Sequence, residues 1–147
     1  MEVNNTVQEL FEKHIKGTAK DAIVADVTIF LCHLTYAVSK NNNFPPKVYL
    51  KTRALKHIYD KRPAEEFDRI LIYLKKLVRY PDCVYKNKNP KRGDYVFTKT
   101  INGEQYLCSL ELYDGCFNIA TVFRLRKKNY IKSYDLLWSW RDGAPSS

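Results

Sequence analysis

The clearest periodic pattern in the chain follows Pro63, where apolar residues recur at the spacing of one helical face. These residues are Phe67, Ile70, Leu71, Leu74, Leu77 and Val78. Acidic residues fill the first turn of this segment and basic residues fill the last turn, as the helix dipole favours. Pro63 suits a first turn and Pro81 stops a helix, so the pattern predicts an amphipathic helix between them.

The N-terminal pattern predicts further helices. Residues 6–16 are typical of a short helix that ends near Gly17, and residues 18–39 place apolar side chains on one helical face. The β-branched residues of the second segment leave open that part of it is a strand. The run of three asparagines, a phenylalanine and two prolines at 41–46 indicates a linker. We therefore expect a helical extension over residues 1–43 and a second part over residues 44–147.

The second part begins with a short strand at 48–51 and a helix at 53–61, and strands dominate after residue 82. We predict strands over residues 83–88, 94–101, 104–113 and 116–126. Asn102-Gly103 and Asp114-Gly115 accept the positive φ angles of two-residue hairpin turns. The predicted fold is α+β: N-terminal helices followed by a four-stranded antiparallel meander sheet packed on helices.

The two hairpin turns also predict which strand residues share a face. Counting from the turns places Thr121 on the apolar, helix-packed face and places Ser109, Arg124 and Arg126 on the open face. A polar face with two arginines and hydroxyls suits a ligand platform. An ordinary solvated sheet face is the simpler interpretation of the same pattern.

Composition narrows the class of partner. The 147 residues contain 25 Lys and Arg against 16 Asp and Glu, a net charge of +9 that favours polyanions such as nucleic acid. The four cysteines form no C-x-x-C pair and the N-terminal segment does not resemble a signal peptide, so we expect reduced thiols and a cytoplasmic location. The most apolar stretch, at 22–38, is too short and too polar to span a membrane, so no membrane partner is expected.

The motifs in the sequence favour chemistry without a metal. The sequence contains no H-E-x-x-H, EF-hand loop, phosphate-binding loop or dinucleotide-binding glycine pattern, so no metal site and no cofactor is predicted. His57 is the leading candidate for acid–base chemistry, because the basic residues around it favour the neutral imidazole that a general base needs. A helical histidine hydrogen-bonded to a carbonyl is the simpler alternative. His14 and His33 are weaker candidates.

Two clusters combine positive charge with tyrosines, which suits phosphate contact and base stacking. The first comprises Lys86, Lys88, Lys91 and Arg92, near Tyr85 and Tyr95, and the second comprises Arg124, Arg126, Lys127, Lys128 and Lys132, near Tyr130 and Tyr134. Solvated strand ends and a solvated helix face would show the same composition.

Three segments, in this order, resemble the phage-associated barnase–EndoU–colicin–RelE-like (BECR fold) nuclease domains. They are the Leu-Lys-His-Ile-Tyr-Asp-Lys-Arg-Pro run at 55–63, the Tyr-Pro-Asp stop at 80–82, and the meander ending Ile-Ala-Thr-Val-Phe-Arg at 119–124. The closing Leu-Leu-Trp-Ser-Trp at 136–140 is also similar, and the resemblance covers residues 48–147.

The resemblance implies metal-independent RNA cleavage, in which the ribose 2′-hydroxyl attacks its own phosphate. His57 would be the acid or base, Lys61 and Arg124 would hold the phosphate, and Thr121 would supply a hydroxyl. Lys86, Lys88, Arg92, Ser109 and Arg126 are the expected nucleic-acid contacts. RNA is the expected partner, together with an inhibitor or immunity protein.

Two features depart from that pattern. Thr121 falls on the wrong face for the role, so either a β-bulge shifts the strand or Ser109 supplies the hydroxyl. His57 is the one histidine in the matching region, so Tyr59 or a lysine would have to be the second proton-transfer group. A non-catalytic nucleic-acid-binding module and a protein-interaction domain that docks through residues 22–38 remain alternatives. The sequence leaves the oligomeric state open.

Overall fold

Helices pack on one face of a mixed sheet in the computed structural model of the protein. The structure describes residues 6–88 and 93–141, and of Lys128 and Asn129 it describes the backbone alone. The helices are α1 (Thr6–His14), α2 (Tyr36–Asn42), α3 (Thr52–Lys61) and α4 (Ala64–Arg79), with a 3₁₀ helix at Lys128–Ile131. The strands are β1 (Thr28–His33), β2 (Lys47–Lys51), β3 (Cys83–Lys86), β4 (Tyr95–Ile101), β5 (Glu104–Tyr113), β6 (Cys116–Arg124) and β7 (Asp135–Ser139).

The α+β class is confirmed, but the four-stranded meander was wrong. The described sheet has seven strands in the order β1-β2-β6-β5-β4-β3-β7, and its β2–β6 pair is parallel. The predicted meander forms its centre. Strand β2 matches the short strand predicted at 48–51. Strands β1 and β7 are short edge strands that offer little alternation to recognise and form only by pairing with other parts of the chain.

A continuous helix over residues 18–39 was wrong, and the alternative that part of this segment is a strand is confirmed. That segment contains β1, which pairs with β2, and then α2, which begins after Thr35, whose hydroxyl accepts a hydrogen bond from Val38 N at 3.4 Å. The apolar residues of this short edge strand and of the short helix after it happen to be spaced like those on one face of a single helix. Residues of α1 and β1, including Leu10 and Leu31, join the same core as the rest of the chain.

The predicted helix after Pro63 is confirmed as α4, and all six of its periodic apolar residues are buried. They pack with residues of α1 and α3 against the apolar face of the sheet. This face is the helix-packed face, and the opposite side of the sheet is called the open face below.

Helix α3 lies beside the last part of β6. Strand β2 pairs with β6 at Val48–Phe117 and Tyr49–Asn118, and α3 begins at the residue after β2. Beyond those pairs α3 contacts β6, and Arg62 Nε donates to the main-chain oxygen of Val122 at 2.9 Å. Because Pro63 disfavours helical backbone at the preceding residue, Arg62 is extended and the chain turns there into α4.

A β-bulge in β6 changes which of its side chains reach the open face. Both hairpins have the predicted register, but the β5–β6 pairing steps from Leu110–Ile119 to Ser109–Thr121, so Ala120 has no partner across the strands. The extra residue reverses the alternation after Ala120. Thr121 therefore shares the open face with Ser109, and Arg124 lies opposite Tyr106 on the helix-packed face. The faces that the hairpin register predicted for Thr121 and Arg124 were both wrong for this reason, and the β-bulge left open as an alternative is confirmed.

A buried ion pair ties α3 to the irregular segment before β1. Lys56 Nζ donates to Asp60 Oδ1 at 2.7 Å and to the Ala19 carbonyl at 2.6 Å, and Asp60 Oδ2 accepts from Asp21 N at 3.0 Å. The two charged side chains are 6% and 8% exposed. Removing either partner would leave the other charge buried without its counter-ion.

We expect Asp60→Asn to lower the free energy of unfolding at pH 7 by about 1.5–3 kcal/mol, the contribution of a hydrogen bond to a charged group. Urea denaturation measures the change, and Asp68→Asn, on the exposed side of α4, is the matched control. Equal stability of Asp60→Asn and wild type would contradict the role given to this pair.

The same pair predicts a dependence on pH. Burial raises the pKa of Asp60, but the Lys56 hydrogen bond, the Asp21 N–H and the charges of Lys56 and Lys20 outweigh it and hold that pKa below its ordinary value. A depressed carboxyl pKa stabilises the fold above the unfolded-state pKa, and that stability is lost as pH falls through the folded-state value. The difference between wild type and Asp60→Asn should therefore shrink below about pH 4.

Within the described residues, no helix is both long enough and apolar enough to cross a membrane.

Candidate active site

A cleft of about 400 Å³ opens on the open face of the sheet between α3 and the segment that follows β6. It is called the His57 cleft here. Its lining comprises His57, Lys61, Arg62, Asn87, Val96, Leu107, Ser109, Thr121, Phe123, Tyr130 and Tyr134. None of these lining side chains is acidic, so the cleft carries positive charge beside an imidazole.

Helix α3 brings the imidazole and one cation to the cleft. His57 and Lys61 are four residues apart, so they lie on the same side of the helix, about 6 Å apart along its axis. Leu55 and Ile58, on the other side of α3, are buried in the core and fix its rotation. Lys61 is exposed, and within the described residues its ammonium forms no ion pair.

Arg62 supplies a second cation whose position is well defined. Its Nη2 donates to Thr121 Oγ1 at 3.1 Å, in addition to the Nε bond to the Val122 carbonyl, and its guanidinium lies 5.2 Å from the centre of the Phe123 ring. A planar guanidinium held by two hydrogen bonds and an aromatic face is pre-organised for a phosphate oxygen.

Two hydroxyls lie at the floor of the cleft. Ser109 is 2% exposed and Thr121 is 4% exposed, and they face each other across the β5–β6 pair. Within the part of the chain that the structure describes, Ser109 Oγ has no hydrogen-bond partner. Ser109 Oγ is therefore a buried polar atom beneath the cleft whose hydrogen-bonding capacity the described residues leave unused.

Tyrosines form the wall opposite α3. Leu125 and Ile131 pack with Val96 and Leu107 in a small second core on the open face, and this core supports Tyr134. The Tyr130 and Tyr134 rings are 6.2 Å apart at their centres. Burial, then the proximity of Tyr130 and a hydrogen bond with it, raise the pKa of Tyr134.

Of the residues to which the resemblance gives a role, His57, Lys61 and Thr121 meet in this cleft, and Arg124 does not. Arg124 Nη1 forms an ion pair with Glu104, and the Arg124 main-chain N–H donates to Glu66 Oε2 at 2.9 Å. Arg126 forms an ion pair with Glu66 through Nη2. Both arginines line cavities around Glu104, near the start of α4.

The other expected contacts scatter. Lys86 lies over the Tyr95 ring at 4.8 Å, and Lys88 pairs with Asp135 at 3.3 Å, beside the short strands β3 and β7. Arg92, like Lys91, lies outside the described residues. Ser109 is the one member of this group that the described structure brings into the His57 cleft.

The structure also narrows the search for a second proton-transfer group. Tyr59 packs against Phe11 and Phe67, with ring centres 5.4 and 5.2 Å away, and belongs to the helix-side core. Lys61 is the alternative that lines the cleft. Arg62 was given no role from the sequence. A signal was present, because Arg62 lies between a helix and a proline, and the proline turns the chain so that this side chain points away from the helix.

No group of three or more His, Cys, Asp and Glu side chains within the described ranges is arranged to hold a metal ion. The donors in the His57 cleft are instead nitrogen cations and hydroxyls, which suit an anion.

Comparisons of the chain with models of protein families, with characterised proteins and with solved structures find no match. A fold does not by itself establish a reaction. The side chains of the His57 cleft are therefore the basis for a function.

Proposed function

We propose that this protein is a metal-independent endoribonuclease whose reaction takes place in the His57 cleft. The observation that supports this most strongly is the convergence of one imidazole, two cations and two buried hydroxyls in a single recess. The charge and size of the cleft suit one phosphate group with part of a nucleotide.

In this proposal the ribose 2′-oxygen forms a bond to phosphorus as the bond from phosphorus to the 5′-oxygen of the next nucleotide breaks. His57 takes the proton of the 2′-hydroxyl, and the ammonium of Lys61 gives a proton to the leaving 5′-oxygen. The products are a 2′,3′-cyclic phosphate and a 5′-hydroxyl. Solvent then restores both side chains to their starting protonation states.

Arg62 and Lys61 stabilise the charge that builds on the phosphate oxygens in the transition state. The Thr121 hydroxyl accepts from Arg62 and can donate its own proton outward. Such donors, fixed before the substrate arrives, need little rearrangement during the reaction.

We expect the protein to cut single-stranded RNA in EDTA, and a 2′-deoxy substitution at the nucleotide before the cut bond to stop cleavage there. The attacking oxygen is then absent, whereas every phosphate contact remains. Gel analysis of end-labelled RNAs that differ by this one atom measures the effect.

A 2′-deoxy substitution one nucleotide away is the matched control and should leave the rate within a few-fold of the unmodified RNA. Equal cleavage with and without the attacking 2′-hydroxyl would contradict the proposal. Binding of several RNAs without cleavage of any would favour a non-catalytic nucleic-acid-binding module instead.

A further inference from the structure

A second cleft, of about 430 Å³, adjoins the His57 cleft, and His57 lines both. It is called the Lys51 cleft here, and its polar lining includes Lys51, Arg53, Tyr113 and Asn118. The imidazole therefore lies at the boundary between two recesses. A site that binds a single nucleotide would need only one recess.

Helix α3 connects the two clefts by a regular row of basic side chains. Arg53, His57 and Lys61 are spaced by four residues, so they lie on one side of the helix at steps of about 6 Å. That step is similar to the distance between neighbouring phosphates in an extended single strand. The row is called the α3 stripe.

The cations of the Lys51 cleft are not committed to carboxylates. Within the described residues, neither the Lys51 nor the Arg53 side chain forms an ion pair, although Arg69, Arg124 and Arg126 all do. Glu111 lines the same cleft but pairs with neither of them. Unpaired cations that line a polar recess favour an anionic ligand.

Aromatic side chains flank the α3 stripe at both ends. Tyr113 is 66% exposed in the Lys51 cleft, and Tyr130 is 45% exposed in the His57 cleft. Exposed tyrosine rings stack on unpaired bases of any sequence. The floor hydroxyls of the His57 cleft are buried, so a nucleotide must leave a base stack to reach them, which a paired duplex resists.

We propose that the substrate is an unpaired strand that runs along the α3 stripe. Lys51 and Arg53 bind the phosphate of the neighbouring linkage, which is not cut. This inference rests on the proposed nuclease function. It makes the Lys51 cleft a phosphate subsite that raises affinity without reading the base, and it makes the minimal efficient substrate longer than a dinucleotide.

The first test compares a dinucleotide with two trinucleotides extended at the 5′ or the 3′ side, each with a single cleavable linkage. One trinucleotide should have a kcat/KM about tenfold or more above that of the dinucleotide, since its extra phosphate accepts charge-assisted hydrogen bonds in the Lys51 cleft. In Lys51→Gln/Arg53→Gln the ratio of the trinucleotide kcat/KM to the dinucleotide kcat/KM should fall to about one. Lys75→Gln/Lys76→Gln, exposed on α4 with the same loss of charge, should keep the gain.

The second test separates binding from cleavage. A 2′-O-methyl oligonucleotide cannot be cut, and its affinity can be followed by fluorescence anisotropy against salt. The slope of log affinity against log salt should fall by about 0.7 for each phosphate that the Lys51/Arg53 double variant no longer neutralises. Pairing the oligonucleotide with its complement should weaken binding at least about tenfold.

Each result decides one part of the account. Three results would overturn this inference and leave the nuclease proposal standing. The dinucleotide could be cut as efficiently as both trinucleotides, or the trinucleotide could keep its higher kcat/KM in the Lys51/Arg53 variant. The duplex could also bind as tightly as the single strand. A lowered salt slope without cleavage of any RNA would overturn the nuclease proposal and retain the phosphate subsite.

Discussion

Replacing His57 with glutamine should lower the kcat for RNA cleavage by about 10²–10⁴-fold, the usual contribution of a positioned general acid or base. Glutamine keeps most of the side-chain volume and a hydrogen-bonding group, but it cannot exchange a proton near neutral pH. Because His57 is half-buried on α3 and the helix is fixed by Leu55 and Ile58, we expect the fold to persist. Single-turnover cleavage of an end-labelled RNA measures the loss.

His33→Gln is the matched control, because that imidazole is exposed on the edge strand β1, with its ring 4.9 Å from Phe30 at the centres. Its rate should stay within a few-fold of the wild type. Both variants should bind an uncleavable 2′-O-methyl RNA and melt near the wild-type temperature. A His57→Gln protein that is folded and cleaves within tenfold of the wild type would remove His57 from the reaction.

Arg62→Gln should lower kcat by about 10²–10³-fold, the typical effect of removing one donor that stabilises a transition-state oxyanion. Arg62→Lys should fall between this variant and the wild type, because lysine keeps the charge but loses the planar geometry that holds the Val122 carbonyl and Thr121. Circular dichroism and thermal melting separate this effect from a loss of fold. If Arg62→Lys and Arg62→Gln both cleave like the wild type, the cleft does not use this guanidinium.

Arg69→Gln is the matched control for Arg62, since Arg69 lies on α4 and pairs with Glu104 at 3.3 Å. Arg124→Gln tests the role that the family resemblance implies for that residue. Arg124 shares the same Glu104 carboxylate on the helix-packed face, so we expect its loss to affect stability more than kcat. A large loss of kcat in Arg124→Gln, without one in Arg62→Gln, would favour the assignment by resemblance over the geometry of the cleft.

The His57 cleft contains Arg62, where the sequence led us to expect Arg124. This difference shows what the sequence could predict and what it could not. Hairpin turns with Asn-Gly and Asp-Gly fixed the register near each turn, and that part is confirmed. The bulge at Ala120 has no comparable signal, because the residue that is left unpaired is an ordinary alanine in an apolar strand. A single inserted residue then reversed the faces of Thr121 and Arg124.

Helices and strands with long, regular patterns were predictable for a related reason. The α4 pattern repeats over 16 residues, so local sequence outweighs the rest of the chain. The edge strands β1 and β7 have six and five residues, and their structure depends on pairing with strands far away in sequence. His57 and Lys61 could be named from their helical spacing. Tyr130 and Tyr134 could also be named from their basic neighbours, but their position opposite α3 could not, because the chain after β6 has to fold back over the sheet to place them there.

The measurement that most directly tests the central claim is mass spectrometry of the fragments made from one defined RNA by the wild-type protein in EDTA. Attack by the ribose 2′-oxygen predicts a 5′ fragment that ends in a 2′,3′-cyclic phosphate and a 3′ fragment that begins with a 5′-hydroxyl. Fragments with a 3′-hydroxyl and a 5′-phosphate would show that water, and not the ribose, attacks the phosphorus, and would contradict the reaction proposed for the His57 cleft.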